Sequence, residues 1–238
     1  FTSFFARGGY LETLRQRDGV PMNVVPGVGD HNVGMNLAAG ILAALYHAKM
    51  TGKGEKVETS LFETAIFNMG MMVQAAQYTD HGEKYPINIK ESPNPFLACW
   101  RSKDERYVQT CMPDYNTYFE KFMTALGLTD YLNDDRYFPV QNLIKNKLGS
   151  HLYDVIMERF GTKDYAEWKE ILTEADIPFA LAQNWEEILE DEQAWANDCF
   201  RKMEYPSGER ILVNQPVRYT EMGKTPYEKG PLIGEHTT

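Results

Sequence analysis

Several features that usually announce a function are missing from this sequence. Cysteine is scarce: Cys99, Cys111 and Cys199 lie far apart, with no CxxC pair. That spacing excludes a cysteine-built metal site and a disulfide scaffold, and reads as reduced thiols in a reducing, cytoplasmic setting. No apolar run approaches the ~18 residues that a membrane-spanning helix needs. The opening "FTSFFARGGY" has neither the cationic start nor the long apolar core of a signal peptide. Cations are outnumbered, 24 Lys and Arg against 34 Asp and Glu, for a formal net charge of −10. A broad nucleic-acid surface is therefore not expected, because such surfaces need clustered Lys and Arg. Internal repeats, low-complexity tracts, GxGxxG and GxxxxGK[ST] are all absent. What is left has 43% hydrophobic residues, enough for a real core and with neither a nucleic-acid nor a membrane partner expected.

The stretch from Gly27 to Ala65, "GVGDHNVGMNLAAGILAALYHAKMTGKGEKVETSLFETA", carries most of the information. A helix is expected from about Asn32 to Met50, with Val33, Leu37, Ile41, Leu45 and Ala48 on one face. Gly40 costs a helix roughly 1 kcal/mol relative to Ala, which points to a close packing contact. "TGKG" ends the helix. A second helix is expected from about Ser60 to Tyr78, with Ser60 and Glu63 at capping-box spacing. Both helices are apolar with few charges, so both are expected to be buried between other layers.

Downstream, "FLACWRSKDERYVQTCM" reads as two short strands around a turn at Ser102–Glu105. Helices are expected over about Asn116–Leu126, Gln141–Phe160 and Asp164–Glu174. "IPFALAQ" reads as a buried strand, "WEEILEDEQAWAND" as an acidic helix pair, and "FRKMEYPSGERILVNQPV" as a hairpin turning at Pro206–Gly208. The tail from Arg218 reads as extended. The fold class is α/β, and three parts are expected: 1–85 with the first two helices, 86–190 as a small α/β domain, and 191–238 as a return segment.

Asp30 is the residue of most chemical interest. As a helix cap, its carboxylate would accept a backbone N–H. In the same place the helix dipole favours a negative charge, and Gly27, Gly29 and Gly34 leave room for a bulky partner. An ionised carboxylate there can attack an activated acyl group, a thioester or a phosphate ester. His31 is either an ordinary hydrogen-bonded histidine or a proton carrier beside it. "GGY" (Gly8–Tyr10) and "TGKG" are weak phosphate cradles, and Lys49, Lys53 and Lys56 either steer an anion or solvate a surface. Met69, Met71 and Met72 with Phe62 and Phe67 form core or, alternatively, an adaptable acyl-chain wall. The carboxylates of "WEEILEDEQ" read as a solvated helix face.

The stretch "GDHNVGMNLAAGILAALYHAKMTGKGEKVETSLFETA" resembles the signature region of the family III CoA-transferases, the carnitine dehydratase/bile-acid-inducible F type. The parts occur in order: an acid after a small residue, a glycine-containing helix with "GILAAL", "TGxGxxV", and a strand-to-helix turn. "FFARGGY", "NVVPGVGDH", "QAAQYTDHGEKYPIN", "NPF", "FMTALG", "ADIPFA", "EDEQAWAND" and "GPLIGEHT" extend the likeness along the chain, toward the 2-hydroxyacyl-CoA transferase branch.

The resemblance implies that Asp30 is the nucleophile, that a coenzyme A thioester is a substrate and that no cofactor is permanently bound. It also implies an aspartyl-CoA thioester on the way to a 2-hydroxy carboxylic acid, and an interlocked homodimer in the full-length protein. The chain is expected to correspond to the middle and C-terminal portion of the family fold, without most of the N-terminal Rossmann-like half. It has no glycine-rich run like the active-site loop of formyl-CoA transferases. Two alternatives stay open: an α-methylacyl-CoA racemase, in which the aligned acid moves protons, and a piece inactive by itself.

Overall fold

A computed structural model describes residues 2–22, 24–78, 86–222, 229–235 and 237. Part of the resemblance stretch "QAAQYTDHGEKYPIN", the expected boundary at 85/86 and part of the tail lie outside those residues. The chain divides into two units, Phe1–Ala180 and Leu181–Thr238.

The first unit opens with a π-helical turn, Thr2–Ala6, and a short helix α1, Tyr10–Thr13. Helix α2 follows, Val28–Thr51. It begins four residues before the expected start, because Gly27 at φ 89° turns the chain into the helix ahead of the apolar periodicity. It ends as expected at Gly52, whose left-handed backbone lets its N–H reach the Ala48 carbonyl at 2.8 Å. The expected second helix is two pieces, α3 over Leu61–Asn68 and α4 over Gly70–Ala75, broken at Met69. The Ser60 hydroxyl accepts the Glu63 N–H and caps α3.

The expected burial of these helices does not occur. Gly29 is the only buried residue described in α2, and in α3 only Thr64 and Ala65 are buried. The surrounding core is small: Phe4, Phe5 and Ala65. Met71 and Phe67 are exposed and Met69, Met72 and Phe62 half-buried, so that stripe is not core within this chain. Gly40 does serve packing: a Cβ there would sit 2.9 Å from Val57 Cγ1. The segment after α2 therefore runs back along it.

The rest of the first unit has the larger core. Strands β1 (Cys99–Arg101) and β2 (Tyr107–Thr110) pair antiparallel, with Trp100 opposite Val108. Strand β3 (Phe179–Leu181) lies on the far side of β2. At that edge it is only half covered, not the buried strand expected. Helices α5 (Tyr115–Ala125), α6 (Val140–Lys145), α7 (Gly149–Phe160) and α8 (Tyr165–Glu174) pack around the sheet. The expected long helix over 141–160 is split where Lys147 takes φ 56°. Trp100, Met112, Phe122, Leu152, Ile156, Phe160 and Trp168 are fully buried, and the indole N–H groups are satisfied. Trp100 Nε1 donates to Thr110 Oγ1 and Trp168 Nε1 to the Phe160 carbonyl, both at 2.8 Å.

The second unit holds α9 (Trp185–Glu190), α10 (Glu192–Ala196) and an antiparallel hairpin of β4 (Phe200–Tyr205) and β5 (Gly208–Val213), close to the sequence reading. Asn184 and Glu187 form a capping box at the start of α9, and most of its other carboxylates face solvent.

Candidate functional site

Asp30 lies in the first turn of α2, three residues past Gly27. It is not the cap. Gly27 occupies that position, and the first turn has no side-chain cap. Among the described residues the Asp30 carboxylate has no hydrogen-bond or ionic partner, and it is exposed. An acid in this turn complements the free N–H groups and the positive end of the helix dipole. The carboxylate is thus available on a helix end that suits its charge.

The turn beneath it is tightly seated. A Cβ on Gly29 would lie 2.8 Å from Phe4 Cγ and 3.1 Å from both Cδ atoms, so the Phe4 ring lies broadside against the helix backbone. Phe4 is buried and stacks on Tyr10, with ring centroids 4.8 Å apart. Gly8 gives the same close approach one layer away, since a Cβ there would collide with Ala65 Cβ. Gly9, at φ 89°, starts α1. The glycines of "GGY" therefore serve packing and chain direction. Gly52 of "TGKG" terminates α2.

Other candidates are not gathered at Asp30. His31 is exposed, and adjacent helical residues point about 100° apart. Its N–H donates to the Gly27 carbonyl at 2.9 Å, the first backbone bond of the helix. Lys49 is in the last turn of α2, about 28 Å along the axis from Asp30 at 1.5 Å per residue. Lys56 pairs with Glu58 at 2.5 Å.

The structure adds a polar link that the sequence reading misses. Asn68 Nδ2, at the end of α3, donates to the Tyr10 hydroxyl at 2.9 Å and to Asn32 Oδ1 at 3.3 Å. Asn32 Nδ2 donates in turn to the Val28 carbonyl at 2.7 Å. Exposed polar residues at such separations leave no periodic signal. The nearest hint is Tyr10 itself, which ends the "GGY" stretch.

The description CoA-transferase family III matches residues 2–237. The chain is 52% identical over 238 residues to the cinnamoyl-CoA:phenyllactate CoA-transferase of Clostridium sporogenes. It is 40% identical over 239 residues to the (R)-2-hydroxy-4-methylpentanoate CoA-transferase of Clostridioides difficile. Both alignments cover 100% of this chain and 58% of the relative, so the chain spans just over half the length of these curated relatives. In fold it is similar to a crystal structure of a CAIB/BAIF family protein from Brucella suis, with a TM-score of 0.79 and 19% identity. That likeness covers 98% of this chain and 59% of the other. The chain belongs to CoA-transferase family III.

Proposed function

We propose that the protein moves CoA between an acyl-CoA and a 2-hydroxy carboxylic acid, with Asp30 as nucleophile. The observation that carries the reading is the exposed Asp30 carboxylate, without a partner among the described residues, on the braced first turn of α2. Relatives named for phenyllactate and 2-hydroxy-4-methylpentanoate supply the substrate class.

An Asp30 oxygen attacks the thioester carbonyl, CoA leaves as the thiolate, and a mixed anhydride forms. The thiolate attacks the aspartyl carbonyl, releases the first carboxylate and leaves an aspartyl-CoA thioester. The incoming 2-hydroxy carboxylate attacks that thioester through its carboxylate oxygen, expels the CoA thiolate again and gives a second mixed anhydride. The thiolate then attacks the new acyl carbonyl, and Asp30 returns as a free carboxylate. No redox change or external proton is required. The acyl-CoA and the carboxylic acid are the small-molecule partners, and no permanently bound cofactor is invoked. The cytoplasmic setting, the interlocked homodimer and the division at 85/86 and 190/191 belong to the same proposal for the whole protein.

The test uses the full-length protein incubated with acyl-CoA and quenched with hydroxylamine or borohydride. Peptide mass mapping is expected to find the modification on Asp30, and Asp30→Ala is expected to lose turnover. Normal turnover by Asp30→Ala would overturn the reading. So would α-deuterium exchange in acyl-CoA without CoA transfer, which is the racemase outcome.

A further inference from the structure

The first turn of α2 has little holding it from within. Its cap is a glycine with no side chain, and the first N–H groups of any helix lack intrahelical partners, so such ends fray. Two contacts from other parts of the chain oppose fraying on either side of Asp30. Before it in sequence, Gly29 rests on the Phe4 ring. After it, Asn32 is held by Asn68 and grips the Val28 carbonyl. The two contacts meet again at Tyr10, whose ring stacks on Phe4 and whose hydroxyl accepts from Asn68. The bracket is closed: Phe4, Gly29, Val28, Asn32, Asn68, Tyr10 and back to Phe4.

We propose that Asn68 is a positioning residue for Asp30. It ties the first turn of α2 to Tyr10 and so sets the direction of the carboxylate. The proposal rests on the CoA-transferase reading. An attacking oxygen must be aligned with the thioester carbonyl, and a displacement near 1 Å can lower a rate by about 10²-fold. Asn68 bonds to Tyr10 and Asn32 and not to Asp30, and on this reading it does not touch the reacting atoms, so its loss acts on orientation. Each of its bonds is exposed and modest in strength, which predicts an effect on rate larger than that on folding.

The experiment uses the full-length protein with Asn68→Leu, which keeps the size and removes both donors, and Tyr10→Phe, which keeps the ring stack and removes the acceptor. Asn68→Leu is expected to lower kcat about tenfold, with KM for acyl-CoA within about twofold and the thermal midpoint within about 4 °C. The single-turnover rate of hydroxylamine-trapped Asp30 should fall by the same factor as kcat. Tyr10→Phe should lower kcat in the same direction. The double variant should match Asn68→Leu, because both act through one link.

A kcat within twofold of wild type in Asn68→Leu overturns the proposal, as does a double variant whose losses multiply. If Asn68→Leu fails to fold, Tyr10→Phe carries the test by the same kcat and trapping readouts. The two readings separate cleanly. Asp30→Ala with normal turnover defeats the proposed function, whereas a dead Asp30→Ala beside a fully active Asn68→Leu defeats only the positioning role.

Discussion

Residues 2–78 and residues 89–179 belong to one unit, yet they are built differently. In the later part, α5, α7 and α8 each bury one face and show a polar one, and together with the sheet they enclose a continuous core from Phe96 to Ile177. In the earlier part, α2 is apolar or small nearly all the way round and lies open, with Leu42 67% and Met50 67% exposed. A helix hydrophobic on every side is built to be covered. The later part is made to be stable by its own contacts. The earlier part places an acid on a braced turn and presents apolar surface that this chain leaves bare.

The largest expected effect lies in the closed part. Trp168→Ala removes a fully buried indole and leaves the Phe160 carbonyl without its donor. It should cost about 3–5 kcal/mol, read from urea unfolding. A loss below about 1 kcal/mol would mean that the 89–179 core is no better packed than the open part, and the contrast would collapse.

Gly29→Ala asks whether the open part has one tight point. The added Cβ would meet the Phe4 ring 2.8 Å away, and that ring is pinned between Phe5 and Tyr10. Overpacking of this kind should cost about 1–3 kcal/mol. In the full-length protein it should also lower turnover, because Asp30 is the next residue. Unchanged unfolding would show that the turn is not braced by Phe4.

How legible each part was follows the same division. Boundaries set by local chemistry could be read from sequence: Gly52 closing α2, Ser60 capping α3, Glu167 accepting the Asp164 N–H at the start of α8, and the β4–β5 turn at Pro206. Breaks that need an unusual backbone at an ordinary residue could not, as at Lys147. Periodicity identified the apolar faces of α2 and α3 but not whether anything covers them, since a pattern records a preference and not a neighbour. At the site, Asp30 stood out through its glycine-rich setting and the family resemblance. The link from Tyr10 through Asn68 to Asn32 joins residues 58 and 36 positions apart, and no short-range pattern encodes it.

Leu42→Ala tests the bare surface directly. In the 238-residue chain the side chain is largely solvent-exposed, so the change should stay within about 0.5 kcal/mol. In the full-length protein, where an all-round apolar helix should find its cover, the same change should cost about 2 kcal/mol or more. Equal, small effects in both would show that α2 remains open in the whole protein, and the contrast between the two parts would then be intrinsic to the fold.

The smallest effect concerns how the closed part meets acid. Several of its surface carboxyls are held below the usual carboxylate range: Asp104 by the Ser102 hydroxyl, Asp114 by the Thr117 hydroxyl and Asp176 by Lys121. Asp134 is lowered furthest, from an ordinary 3.8 to about 2, by hydrogen bonds from the Arg136 guanidinium and then from its backbone N–H. A depressed carboxyl favours the folded state while it is ionised there and would also be ionised in the unfolded chain. Its contribution is therefore complete above the ordinary value of 3.8 and disappears as pH falls through about 2. The pair is exposed, so salt should screen it and its share of stability should be slight. Carboxyl-carbon NMR titration should place the Asp134 midpoint near 2 in low salt. Arg136→Gln should raise it toward the ordinary value, and molar salt should do so in part. A midpoint that neither change moves would show that Arg136 does not hold this carboxylate, and the acid response of the closed part would then rest on Asp104, Asp114 and Asp176.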